Sequence, residues 1–158
     1  GAGGRPGRAP RRRNQRGRAG VSLEPLLAAP LAIRIHAFAA MAAFVLGAVQ
    51  IAAPKGTIPH RAFGWAWVAL MVVVAGSSFL IHSIRTWGDW SPIHILSIVT
   101  LVALPGAVLY ARRHRVAAHQ RAMLILFVAA LGIAGAFTLA PGRIMHEVVF
   151  GTAAVPGA

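Results

Sequence analysis

Residues 37–54 carry no charged side chain, and Gln50 is the one strongly polar residue among them. Three further apolar blocks follow, over residues 62–84, 92–111 and 122–140. A helix rises 1.5 Å per residue, so about 20 apolar residues cross the roughly 30 Å hydrocarbon core of a bilayer. Inside that core every backbone N–H and C=O has to be paired, and a helix pairs its own. The blocks therefore predict four transmembrane helices, over residues 35–53, 62–84, 92–111 and 122–140. The connections between them are short, which makes successive helices antiparallel neighbours. The expected fold is all-α: an integral membrane four-helix up-down bundle occupying residues 35–150.

The composition agrees with this. Hydrophobic residues make up 57% of the 158 residues and charged residues 12%, against about 25% charged in soluble domains. Four such blocks leave no room for a second folded domain. The absence of cysteine removes disulfides, thiolate metal sites, iron–sulfur clusters and covalent c-type haem attachment. The formal net charge is +13, and seven of the sixteen Lys and Arg residues lie in the first eighteen positions. A basic excess can mark nucleic-acid binding. Beside apolar spans the same charge serves attraction to anionic headgroups, so the expected partner is the lipid bilayer and not nucleic acid.

Residues 1–20 are Gly, Arg and Pro with few apolar side chains, and are expected to be disordered. Residues 21–34 lead in; Pro25 and Pro30 break any helix there, and Ser22 or Glu24 caps a short interfacial turn. Residues 151–158 read as a loose end. Trp65, Trp67, Trp87 and Trp90 mark interfacial belts. Gln50 is expected to form an interhelical hydrogen bond, and Ser77 and Ser78 to bond back to their own helix. Gly132 and Ala136 form a small-residue pair suited to close helix contact. The first and third connections carry Lys55, Arg61, Arg112, Arg113, Arg115 and Arg121, against Arg34, Arg85 and Arg143 on the other side. This excess favours cytoplasmic first and third connections in a multi-pass protein of a bacterial inner membrane, whereas counting Arg16 and Arg18 narrows it to six against five and counting the whole N-terminal tail gives the reverse orientation.

The histidines carry the functional expectation. His36 begins the first span, His82 ends the second, His94 begins the third and His146 follows the fourth. Up-down topology brings all four to one side. Histidine is costly in hydrocarbon and tends to face the bundle interior when it occurs there. Neutral imidazole is also a common metal and haem ligand. His36, His82, His94 and His146 are thus candidate cofactor ligands. Two of them would hold a b-type haem, or His36, His82 and His94 a Zn, Cu or Fe ion. The plainer alternative for each is an interfacial bond to a headgroup or carbonyl. His60, Arg61, His119, Arg121 and Arg143 read as headgroup or interface contacts, and His114 as solvated. No hydrolytic triad and no phosphate-cradling glycine loop is present, so an enzymatic role is neither assigned nor excluded.

His36, Lys55-Gly56, His60-Arg61-x-x-Gly64-Trp65, His94, His119-x-Arg121-x-Met123 and Pro141-Gly142-Arg143 together form a recognisable pattern. The chain resembles, over about residues 35–150, a bacterial family of predicted membrane proteins of unknown function. The resemblance implies a compact four-helix membrane protein with no assigned reaction. More loosely, histidine-bearing helices in such a bundle look like membrane b-type cytochromes of the cytochrome b561 and ferric-reductase kind. Those set their paired histidines deep in the membrane, whereas these lie near the span ends. The expected function is a haem- or metal-binding redox or electron-transfer membrane protein. The alternatives are a non-enzymatic accessory or assembly subunit that docks other membrane subunits and binds no cofactor, or a small transporter.

Overall fold

The computed structural model describes residues 21–81 and 92–151. Residues 1–20, residues 82–91 with His82, and residues 152–158 lie outside the described residues. The elements run α1 (Glu24–Leu27), α2 (Leu31–Ala52), α3 (Ile58–Ser78), α4 (Pro92–Arg112), α5 (Val116–Leu126), a π-helical segment (Phe127–Ile133), α6 (Ala134–Thr138) and α7 (Ile144–Phe150). α5, the π segment and α6 form one continuous span, Val116–Thr138, so four helices are long and apolar enough to cross a membrane. The described residues contain no strand.

Local chemistry sets the boundaries. Pro30 lies just ahead of α2 with extended ψ, and its carbonyl accepts from Arg34 N at 3.1 Å. The first span thus starts at Leu31, ahead of the expected residue 35, with Pro30 opening the helix. Pro25 is tolerated in the first turn of α1, where its missing N–H would have no helical partner. Ser22 Oγ accepts from Glu24 N at 3.3 Å. α2 stops at Pro54, and Gly56 adopts φ +80°, a left-handed turn conformation that other residues resist.

Thr57 caps α3: its Oγ1 accepts from His60 N at 3.2 Å. Losing such a cap costs about 1 kcal/mol. Thr57→Ala is expected to lower the thermal unfolding midpoint of the detergent-solubilised protein, while Thr57→Ser should hold it. Equal midpoints for the alanine variant and the parent would refute the cap.

α3 ends at Ser78, short of the expected residue 84. Ser77 Oγ donates to Val74 O at 3.1 Å and Ser78 Oγ to Ala75 O at 2.7 Å. These side chains compete for the carbonyls that continue a helix. The backbone tightens accordingly, with the N–H groups of Phe79, Leu80 and Ile81 bonding three residues back. At the far end of α4, His114 takes φ 56° and Arg115 N reaches back to Tyr110 O at 2.9 Å, closing the helix as a left-handed residue does. His114 is exposed.

The helices form a ring. α2 packs along α3, α3 on α4, α4 on α5, and the π segment returns to α2 and α4. The core is Ala43, Trp67, Met71, Leu104, Ala107, Leu126 and Leu131. Outward residues such as Phe44, Val45, Val102 and Ile125 are exposed, as suits helices whose solvent is hydrocarbon. The pair Gly132 and Ala136 makes no close interhelical contact: a Cβ added at Gly132 would meet only the Phe127 carbonyl, at 3.9 Å, and Ala136 is exposed. The π segment explains this, because its wider turn shifts the register of everything after it. The close approach occurs instead at Gly47 of α2. α1 packs on α7, and Ser22 N bonds to Val148 O at 2.9 Å, so the two short helices join at the end where α2 begins.

Candidate functional site

The inward face of α2 reads His36, Ala39, Ala43, Gly47, with the last three buried. On α4 the buried stripe is His94, Ser97, Thr100, Leu104, Ala107. Both follow the three- and four-residue spacing of a helix face. A histidine therefore heads each stripe at the same end of the bundle, one on either side of the last turn of α3. Small residues on α2 let the neighbouring helix approach, and the ring of His36 reaches α3 directly.

His36 Nδ1 lies 3.0 Å from Val74 O and 3.1 Å from Ser77 Oγ. A carbonyl oxygen only accepts, so Nδ1 carries the hydrogen and donates it. In the neutral ring Nε2 is then the nitrogen with the free lone pair. His94 is 3% exposed, and its ring lies tilted against Phe79 at a centroid distance of 5.8 Å. Nearby, Ser78 gives its hydrogen to Ala75 O, so Ser97 Oγ donates to Ser78 Oγ at 2.6 Å, a bond that ties α4 to α3, and Ile93 O lies 2.9 Å from Ser97 Oγ. Among the described residues the buried polar side chains are Ser78, His94, Ser97 and Thr100. All four belong to this end, where α3 stops and α4 begins. The remaining core is apolar.

His146 is on α7. Its Nδ1 donates to Leu139 O at 2.8 Å, and its ring lies against Phe150 at 4.8 Å. It thereby satisfies a carbonyl left over at the end of α6. Among the described residues no three of His, Cys, Asp or Glu come together in a group able to hold a metal ion. His36, His94 and His146 thus do not make a three-ligand centre among themselves. His82 lies outside the described residues. Arg143 and Glu147 are half-buried at the start of α7.

The opposite end gathers the second set of histidines. Gln50 Nε2 donates to His60 O at 2.8 Å, forming the interhelical bond expected of it. Gln50 Oε1 and His60 Nδ1 are both buried without a hydrogen-bond partner. His119 Nδ1 donates to Ala107 O at 2.9 Å, so it bonds α5 to α4 within the bundle, where sequence spacing placed it at the headgroups. Lys55 Nζ bonds to the Ile51 carbonyl. Arg61 and Arg121 are exposed.

Sequence spacing missed Thr100 and the exact rotation of α4. His94, Ser97, Leu101, Pro105 and Val108 share a face on paper, but Thr100, Leu104 and Ala107 are the buried residues. Both stripes satisfy the helical period, and the polar hydroxyl of Thr100 was the signal that separates them.

No curated protein and no solved structure matches the chain, so the looser likeness to membrane b-type cytochromes finds no counterpart there. A family model matches residues 33–156, which take in all four spans and both sets of histidines. The chain belongs to the family described as "Predicted membrane protein (DUF2306)".

Proposed function

We propose that this multi-pass membrane protein transfers electrons through a b-type haem held by His36 and His94. The observation that carries the reading is the buried polar cluster at one end of the bundle, with an imidazole at the head of the α2 stripe and another at the head of the α4 stripe. Polar groups are expensive at membrane depth and are retained there for function. Facing helices of a bundle core are also where such proteins build cofactor sites.

The donor set favours haem over a bare ion. A structural or catalytic zinc site takes at least three protein ligands, and no such group of His, Cys, Asp or Glu exists among the described residues. Haem iron needs only one or two axial ligands from the protein. The Nδ1–H bond from His36 to Val74 O fixes the ring plane and the tautomer and leaves the Nε2 lone pair for a ligand, as carbonyl partners of ligating histidines do. When bound, haem supplies one-electron Fe(III)/Fe(II) chemistry. The hydroxyls of Ser78, Ser97 and Thr100 give the same end a polar lining.

The test is an absorption spectrum of the detergent-purified protein, air-oxidised and then dithionite-reduced, with metal analysis on the same sample. A Soret band with sharp reduced α and β bands is expected. Stoichiometric Zn, Cu or iron without a Soret band would replace haem by a metal ion and bring His82 in as the third ligand. A blank spectrum with no metal, from protein never exposed to chelator, would overturn the reading and favour an accessory subunit or a small transporter.

A further inference from the structure

A groove of about 370 Å³ lies between α3 and α4, with Trp65, Val68 and Val72 on one wall, Leu101 and Pro105 on the other, and Arg112 at one end. Trp65, Val72 and Pro105 are exposed, so the groove opens on the lipid-facing side of the bundle. Along α4 it runs from Leu101 to Arg112. At 1.5 Å per residue this is about 16 Å, half of the roughly 30 Å hydrocarbon core. The groove therefore has the depth of one leaflet, with its single cation at headgroup level. Arg61 precedes Trp65 by one helical turn and shares the face of α3 formed by Trp65, Val68 and Val72. It adds a second cation at the same end.

Among the described residues no carboxylate lies at that end. The chain's three acidic residues are Glu24, Asp89 and Glu147. Glu24 on α1 and Glu147 on α7 belong to the opposite end, and Asp89 lies between α3 and α4 in the chain. Lys55, Arg61, Arg112, Arg113, Arg115 and Arg121 are left without a carboxylate among the described residues at their end. These exposed cations are open to a negative partner from outside the described residues.

The geometry points to a built site for an acidic phospholipid, with one acyl chain along the α3–α4 groove and the phosphate between Arg112 and Arg61. An apolar trough ending in a guanidinium matches an amphiphile of that chemistry. Basic pockets between transmembrane helices recognise anionic headgroups in this way. A partner helix is 10–12 Å wide with its side chains and would leave Arg112 and Arg61 unanswered. A zwitterionic lipid would fill the trough without distinguishing the cations.

Trp65 reports on the site. The full chain is reconstituted in phosphatidylcholine vesicles containing a minor fraction of either phosphatidylglycerol or phosphatidylcholine brominated in the acyl chain. Quenching of Trp65 is taken as the difference between the parent and Trp65→Phe. Half-maximal quenching is expected at about fivefold less brominated phosphatidylglycerol than brominated phosphatidylcholine, the scale of one cation near a headgroup. Arg112→Gln should weaken that preference, and combining it with Arg61→Gln should abolish it. Arg115→Gln, in the same basic connection but away from the groove, should keep it. Equal quenching by the two lipids would overturn the site. So would a preference that the variant carrying both Arg61→Gln and Arg112→Gln keeps, or one that Arg115→Gln weakens as much as Arg112→Gln does, since either would reduce the effect to diffuse surface charge. All three arginines are exposed, and circular dichroism of each variant checks that the helices persist.

Discussion

Trp67→Ala is expected to destabilise the bundle by about 3 kcal/mol, the low end of what large aromatic truncations cost in packed cores. Trp67 is 2% exposed at the middle of α3. Its Nε1 donates to Ala43 O at 2.9 Å, crossing to α2, and its ring packs beside Gly47. Truncation deletes the ring contacts and leaves a void between α2, α3 and the π segment. The lower value applies because lipid tails are as apolar as the core. The transfer part of the loss shrinks in a membrane, while lost packing and the cavity remain. Trp67→Phe keeps most of the ring and loses the donor, so about 1 kcal/mol is expected for it. Unfolding in mixed detergent followed by circular dichroism measures both. An alanine variant within about 0.5 kcal/mol of the parent, the range of ordinary surface substitutions, would mean that Trp67 is not a packing centre.

Gly47→Ala is expected to cost about 2–3 kcal/mol, the range of overpacked cores. An added Cβ would sit 2.6 and 2.7 Å from two ring carbons of Phe127 and 2.7 Å from Trp67 Nε1. Neither ring yields freely. Trp67 is pinned by its bond to Ala43, and Phe127 is stacked on Phe44 at 5.3 Å. α2 would have to back away from α3. In an open helix the same change would stabilise by up to about 1 kcal/mol through helix propensity. Gly76 of α3 provides the contrast, since nothing lies within 4 Å of its added Cβ. Gly76→Ala should hold or raise the unfolding midpoint where Gly47→Ala lowers it. Midpoints that move together would show that the two glycines differ only in propensity and not in packing.

These residues show where sequence reasoning reaches and where it stops. The four spans were legible because hydrocarbon imposes a length and a composition on any helix that crosses it. The common end of His36 and His94 followed from topology alone. The end of α3 was not legible, because apolar residues continue past Ser78 while two adjacent serine hydroxyls compete for its last carbonyls. Nor was the π segment, whose sequence, Phe127-Val-Ala-Ala-Leu-Gly-Ile133, carries no marker distinguishing it from α-helix. The close helix approach falls at Gly47 of α2 and not at Gly132, which only the rings of Phe127 and Trp67 reveal. The bond from His119 to Ala107 was hidden for a related reason: a histidine one turn into a helix can face headgroups or a neighbour, and helix rotation decides. On α4 two stripes compete for the inward position, and the buried hydroxyls of Ser97 and Thr100 identify the one that turns inward.

The central claim, that His36 and His94 form a shared site in that polar end, is tested most directly by the haem content of purified protein. The pyridine haemochrome assay gives haem per chain for the parent, His36→Ala, His94→Ala and His146→Ala. The expected result is stoichiometric haem in the parent, loss in both His36→Ala and His94→Ala, and retention in His146→Ala, which lies on α7 outside the buried stripes of α2 and α4. A parent free of haem, or haem that survives both the His36 and the His94 substitution, would contradict the claim.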